Sequence, residues 1–293
     1  MSRENGSVRG SKLLVNSGSS AQRWDLVIVG DGFRTEELPL YVREVDHVVE
    51  QILSTHPFDV LRNAINVHRV DVTSNESGAG DLLHGVSRKT FFDAAFGAQG
   101  LDRLLVADDT LALTTAIAAV PAMNATLMIV NSETYGGSGG AVPVFSRAAD
   151  AFRIAVHEMG HSHFHLADEY AYYADCADPT RAVYTGAEPV QPNVTSTLHP
   201  LKWANRVAAT TAIPTLPNPN PNDCTPGPSP VPDGTIGAFE GAQYFRRGKF
   251  RPAFRCMMRE LADPFCAVCV DTILSVLEPF RPKGGRRRPS RST

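Results

Sequence analysis

The sequence predicts a mixed α/β (α+β) fold, a twisted mixed sheet with one buried polar-bearing helix and a loop-rich C-terminal subdomain. Three observations predict it. Short apolar runs at 25–30, 65–72 and 125–130 alternate with stretches of helical periodicity through residue 163. Beyond Tyr170 that periodicity fades, and Pro214, Pro217, Pro219, Pro221, Pro226, Pro228, Pro230 and Pro232 punctuate an irregular stretch. The chain has 293 residues, 43% hydrophobic and 20% charged, enough to bury a large core.

Taken in order, residues 1–23 are rich in Ser, Gly and charge and are expected to be a disordered lead. Met1–Ser20 has no apolar core of a secretory signal as written. Asp25–Gly30 is a buried strand. Thr35 caps a helix whose first turn carries Glu36 and Glu37 and whose apolar face runs through Leu40, Val45, Val48, Val49 and Leu53. Ile65–Val72 is a second strand, and Ser74–Asp81 a polar loop that matches no EF-hand. The stretches Asp93–Leu105 and Asp109–Ala118 are expected to be helical, and Ala125–Val130 a third strand. The glycine run 136–140 is a flexible loop. Ala141–Phe145 is expected at a sheet edge because Pro143 lacks a ladder donor. Ala149–His163 is a helix, and Cys266–Leu277 is the last one.

This organisation is one catalytic domain, 24–280, split into an N-terminal subdomain (24–165) and a C-terminal one (166–280), with a basic disordered tail at 281–293. Lys283, Arg286, Arg287, Arg288 and Arg291 read as a solvated tail. A formal net charge of −3 gives no basic excess for nucleic acid. No apolar run approaches the ~18 residues needed to span a bilayer. Gly30-Asp-Gly32 follows a strand but has neither nucleotide-loop spacing.

The chemistry lies in His157-Glu-Met-Gly-His161. Histidines at i and i+4 share a helix face, so both imidazoles reach one cation. Zinc accepts neutral imidazole at about 2.0–2.1 Å in tetrahedral geometry. Glu158 stands beside the open position, placed to take a proton from the activated water and return it to a leaving amine. The upstream segment 151–156 is largely apolar, so the helix is buried, and buried polar side chains are costly without a partner. Asp168 is the candidate third ligand, with Glu169 as the alternative. His165, nearly on the face of His161, is a further competitor, although it better suits the turn residue because histidine tolerates positive φ. His163 points away and is expected to be packed or on the surface.

Extended to His157-Glu-Met-Gly-His-Ser-His-Phe-His-Leu-Ala-Asp-Glu-Tyr170, the pattern resembles the immunoglobulin A peptidase-like family of metallopeptidases, a metzincin-related group. The resemblance spans roughly residues 24–278. It includes Val27-Ile-Val-Gly-Asp-Gly-Phe33, Val130-Asn-Ser-Glu-Thr-Tyr-Gly-Gly-Ser-Gly-Gly140, Pro192-Asn-Val-Thr195, Lys202-Trp203, Phe239-Glu-Gly-Ala-Gln-Tyr244 and Arg251-Pro-Ala-Phe-Arg-Cys-Met-Met-Arg259.

The resemblance implies a metzincin-like zinc peptidase fold with Zn(2+) on His157, His161 and Asp168, Glu158 as general base, and a methionine turn with Met258 as its floor. Two departures accompany it: Ser162–Ala167 contains no glycine, and His161 to Asp168 is one residue longer than in most metzincins. No tyrosine follows the methionine turn, which leaves Tyr170 and Tyr244 as candidates for an oxyanion helper. Similar peptidases are commonly secreted.

The expected function is therefore a zinc metalloendopeptidase acting on protein or peptide. A zinc-containing binding module without turnover and a metal-dependent hydrolase of a non-peptide amide are the alternatives. The edge at Ala141, Val142, Pro143 and Val144 is the expected substrate-binding strand. Of the five cysteines, Cys266-Ala-Val-Cys269 has no second CxxC to complete a zinc ribbon and reads as core, with a redox pair as the lesser reading. Cys176 and Cys224, both in irregular segments, are a candidate pair.

Overall fold

The apolar run after Arg23 becomes the central strand of a sheet. Trp24–Asp31 is buried along its whole length and lies between two parallel neighbours, Ile65–Ser74 and Ala125–Val130. A strand covered on both faces needs apolar side chains on both, which is why it reads as a continuous run.

The computed structural model describes residues 2–172, 176–224 and 227–282, so the basic tail from Lys283 lies outside the described residues. The strands are β1 (Ser2–Arg3), β2 (Gly6–Val15), β3 (Trp24–Asp31), β4 (Ile65–Ser74), β5 (Gly80–Asp81), β6 (Ala95–Phe96), β7 (Ala125–Val130), β8 (Gly137–Ser138), β9 (Val144–Ser146), β10 (Phe239–Ala242) and β11 (Phe245–Arg251). The α-helices are α1 (Leu38–Ser54), α2 (Asp109–Ala119), α3 (Ala151–Phe164) and α4 (Ala267–Leu277). Seven strands form one mixed sheet in the order β1-β2-β4-β3-β7-β9-β8. Its centre is parallel, and β2 and β8 join antiparallel at either side.

Alternate residues of the central strands face opposite ways and build two cores. Leu26, Ile28, Val67, Leu127 and Ile129 pack with residues of α1, α3 and α4. Val27, Val29, Val70, Met128 and Val130 pack with Ala112 and Ala116 of α2 and with Phe91 and Phe92. Each such aliphatic side chain contributes about 1.5–3 kcal/mol on full burial. The mixed sheet with helices on both faces is the fold class read from the sequence.

Four local expectations are corrected. The supposed disordered lead 1–23 instead contains β2, which pairs with β4 from Gly6↔Ser74 to Val15↔Val67. Strand pairing is a main-chain interaction, and β4 would otherwise present an unpaired edge, so a polar segment suffices. The helix expected over Asp93–Leu105 does not form. That stretch holds β6 and a short 3-10 turn with left-handed Gly97 and Gln99.

The segment Ala141–Phe145 is not the sheet edge, because β9 is flanked by β7 and β8. The irregular stretch 171–255 contains the β10–β11 hairpin. Cys176 and Cys224, the candidate pair, form a disulfide. Asp31, in the discounted Gly30-Asp-Gly32, accepts from the backbone of Phe92 and Ala94 at 3.0 Å each and ties that loop to the strand end.

Candidate active site

Helix α3 runs from Ala151 to Phe164, packed beside β8 and β9 through Ala151, Ile154 and Ala155. His157 and His161, one turn apart, bring their ring centroids to 4.8 Å. Each ring is oriented by a backbone carbonyl: His157 Nδ1 donates to Met257 O at 2.9 Å and His161 Nδ1 to Leu166 O at 2.8 Å. A carbonyl only accepts, so each Nδ1 carries a proton and each Nε2 faces Asp168, where it donates to the carboxylate in the metal-free cluster or offers its lone pair to a cation.

The third member arrives by a turn. His165 ends α3 in the left-handed region at φ 54°. It is exposed, as suits a turn residue rather than a ligand. Leu166 N–H then donates to Gly160 O, reversing the chain. Asn193 clamps the returning segment. It accepts from Ala167 N–H at 2.7 Å and donates to Ala167 O and to Glu169 Oε1.

Asp168 Oδ1 thereby lies 3.1 Å from His157 Nε2 and 3.2 Å from His161 Nε2, and the two Nε2 atoms are 3.1 Å apart. Tetrahedral zinc with bonds of about 2.0–2.1 Å places neighbouring ligand atoms about 3.3–3.4 Å apart. Protons on the imidazoles bridge these atoms in the metal-free cluster, and a single divalent cation at their centre would satisfy all three at once. The donor set fits a divalent metal.

Electrostatics follow the same geometry. Burial alone would raise the Asp168 carboxyl. Hydrogen bonds from both histidines outweigh that and hold it below the usual carboxylate range. Burial lowers His161, but Asp168 lifts it to about 9. Burial pushes the Glu158 carboxyl up, against the pull of the two histidines. Glu158 faces the sheet edge, where a Cβ on Gly139 would lie 2.5 Å from its Oε2, so a side chain there would have to displace the carboxylate.

Below the helix, Met258 is fully buried, and a Cβ on Gly160 would lie 2.7 Å from its Sδ. The Cys256-Met257-Met258 segment thus serves the site twice, through the Met257 carbonyl and the Met258 thioether. Above it, the β10–β11 turn sets both Gln243 and Tyr244 at positive φ, 46° and 66°. Such a two-residue turn matches strand twist but strains side chains other than Gly, Asn or Asp. It is held by Gln243 N–H to Asp168 O and Tyr244 N–H to Tyr170 O, and it delivers the Tyr244 hydroxyl to Asp168 Oδ2.

Three cavities meet at this cluster. The largest, about 690 Å³, is lined by His161, Asp168, Tyr244, Phe245, Arg181 and Lys249 among others. One of about 320 Å³ touches Glu158, Arg103 and Tyr170, and one of about 170 Å³ reaches His157, Tyr135 and Arg259.

The structure brings together His157, His161, Asp168, Glu158 and Met258. Glu169, the alternative ligand, points away into the core beside Asn193 and Cys269. His163 packs edge-on to Trp24. Among the expected substrate-strand residues, Val142, Pro143 and Val144 are buried and only Ala141 is exposed. β8 covers the outer edge of β9, which leaves Gly139 and Gly140 as exposed backbone, while Ala141 N–H donates to Asp109 Oδ2 at 3.1 Å. Asn193 and Gly139 were not singled out from sequence. The glycine run 136–140 was the available signal for Gly139, and Pro192-Asn-Val-Thr195, one of the motifs of the resemblance, was the signal for Asn193.

A family model described as IgA Peptidase M64 matches residues 13–223 and 230–277. No curated protein matches the chain as a relative. The match covers most of the chain, and the chain belongs to the IgA peptidase M64 family.

Proposed function

From that membership we propose that the chain is a zinc-dependent metalloendopeptidase, metzincin-like in its helix motif and methionine turn, acting on protein or peptide substrates. The observation that carries this reading is the convergence of His157 Nε2, His161 Nε2 and Asp168 Oδ1 to within 3.2 Å at the meeting point of three cavities. Three protein ligands with a fourth side open to a cleft are the arrangement of a catalytic rather than a structural zinc. When bound, zinc polarises the scissile carbonyl and lowers the pKa of water toward ~7.

The residues then divide the work. Glu158 takes the proton of the attacking water and returns it to the leaving nitrogen. A carboxyl raised by burial is suited to that return. The substrate main chain pairs with the exposed backbone at Gly139 and Gly140, beside Glu158. Tyr244, with Tyr170 packed against it at 5.5 Å between ring centroids, supplies a hydroxyl to the developing oxyanion. Met258 is the apolar floor beneath the histidines.

The test is digestion of a mixed peptide library, read by mass spectrometry, with the wild type and Glu158→Gln at equal zinc content. The wild type is expected to cleave, and the variant to be slower by about 10²–10⁴-fold with its metal retained. Wild-type protein that carries zinc yet leaves the library intact would point to a binding module and overturn the reading.

A further inference from the structure

A second group of donor atoms lies behind the first. Cys256, Cys266, Cys269 and Glu169 are all buried, and their ligand atoms all fall within 4.8 Å of one another. Cys256 Sγ and Cys266 Sγ lie 3.7 and 3.6 Å from Cys269 Sγ, and Cys269 Sγ lies 3.4 Å from Glu169 Oε1. These three thiols are not joined, whereas Cys176 and Cys224 in the same chain are.

A tetrahedral zinc with Zn–S bonds of about 2.3 Å sets its sulfurs about 3.7–3.8 Å apart, and a carboxylate oxygen about 3.6 Å from each sulfur. The three spacings from Cys269 Sγ follow that pattern, and the remaining donor pairs lie within 4.8 Å. A thiol core packed for apolar contact has no reason to gather three sulfurs around a carboxylate. The other Glu169 oxygen, Oε2, is buried without a hydrogen-bond partner among the described residues, a costly arrangement unless a cation compensates it.

The surroundings also suit a thiolate centre. Cys266 N–H donates to Cys256 Sγ at 3.3 Å, and Cys266 is the residue before the first turn of α4, where backbone N–H groups favour negative charge. Arg251 is buried close enough to act electrostatically on both Glu169 and Cys256. Its charge partly balances four anionic ligands around one divalent ion.

We propose that Cys256, Cys266, Cys269 and Glu169 form a second, structural metal centre for zinc, buried in the core and separate from His157, His161 and Asp168. Soft thiolates with one carboxylate, all buried, select zinc over magnesium or calcium. Its consequence for the first site follows from the chain. Cys256 leads directly into Met257 and Met258, and Glu169 follows Asp168. The ion ties the methionine turn and the third-ligand loop to the start of α4 and holds both beneath the histidines.

The test is elemental mass spectrometry on the full chain, prepared without chelators, together with His161→Ala and Cys266→Ser. The wild type is expected to hold about two zinc ions per chain and His161→Ala about one. Because Cys266→Ser risks misfolding, cobalt is loaded into His161→Ala as a second measurement. A thiolate-to-cobalt charge-transfer band is expected there and is expected to be missing in Cys266→Ser. A wild type with a single zinc that disappears in His161→Ala overturns the proposal. So does a cobalt spectrum without thiolate bands, or a disulfide among the three cysteines. A single zinc in both the wild type and His161→Ala, with the thiolate band present, would uphold this centre while removing the catalytic one, so the two claims fail separately.

Discussion

Asp168 and Glu169 are neighbours in sequence with opposite surroundings. Asp168 turns its carboxylate to the two helix histidines and the cleft. Glu169 turns its own into a buried cluster of sulfur. Both are held by the same loop, clamped by Asn193, and both sit beside the Cys256-Met257-Met258 segment. Consecutive side chains in extended backbone point to opposite sides, so one peptide bond divides an open donor set from a closed one. Donor chemistry alone does not make a reactive site. Access to a cleft, and a base such as Glu158 beside the open position, separate the two.

The largest expected effect is metal removal. Dialysis of the active protein against a chelator should strip the open cluster first, take peptidase activity to background, and let added zinc restore it. The buried ion should leave far more slowly, and release of both at one rate would break the comparison.

Next comes Tyr244→Phe, which deletes the hydroxyl on Asp168 Oδ2. Loss of such an outer partner typically costs about 10–100-fold in metal affinity or activity, so a drop of that size is expected with the cobalt–thiolate signal unchanged. An equal effect on both clusters would show that the turn acts through the fold rather than through Asp168.

Gly160→Ala places a methyl 2.7 Å from Met258 Sδ and should destabilise by about 1–3 kcal/mol in denaturant titrations. Met258→Leu keeps the volume and should cost under about 1.5 kcal/mol, with peptidase activity retained. A large loss of activity from Met258→Leu would give the sulfur itself a role beyond packing.

The parts of this site legible in sequence were those fixed by short-range geometry. The spacing of His157 and His161 sets a shared helix face, and His165 was recognisable as a residue able to take positive φ. Asp168 was nameable only as one of several candidates, because its position depends on Asn193 and the Gln243–Tyr244 turn. Those groups lie 25 and more residues further along. The β10–β11 hairpin lacks the Asn-Gly or Asp-Gly signal that announces such a turn, so it was read as coil. The sulfur pocket was read as plain core for a similar reason. Cys266-Ala-Val-Cys269 supplies two donors at local spacing, while Cys256 and Glu169 come from elsewhere in the chain.

In the sheet, the buried strands β3, β4 and β7 were legible because burial on both faces demands apolar runs. β2 was not, because a flanking strand held by main-chain pairing leaves little trace in side-chain pattern. The same limit applies to β9, where Pro143, just before the strand, led to the expectation of an edge and could not reveal that β8 folds back over it.

The central claim is that a cation sits among His157, His161 and Asp168. It is tested most directly by crystallography of the wild type with anomalous data on both sides of the zinc absorption edge. The expected result is a zinc peak about 2.0–2.2 Å from His157 Nε2, His161 Nε2 and Asp168 Oδ1. Protein that crystallises with zinc available yet shows no peak among those three atoms would contradict it.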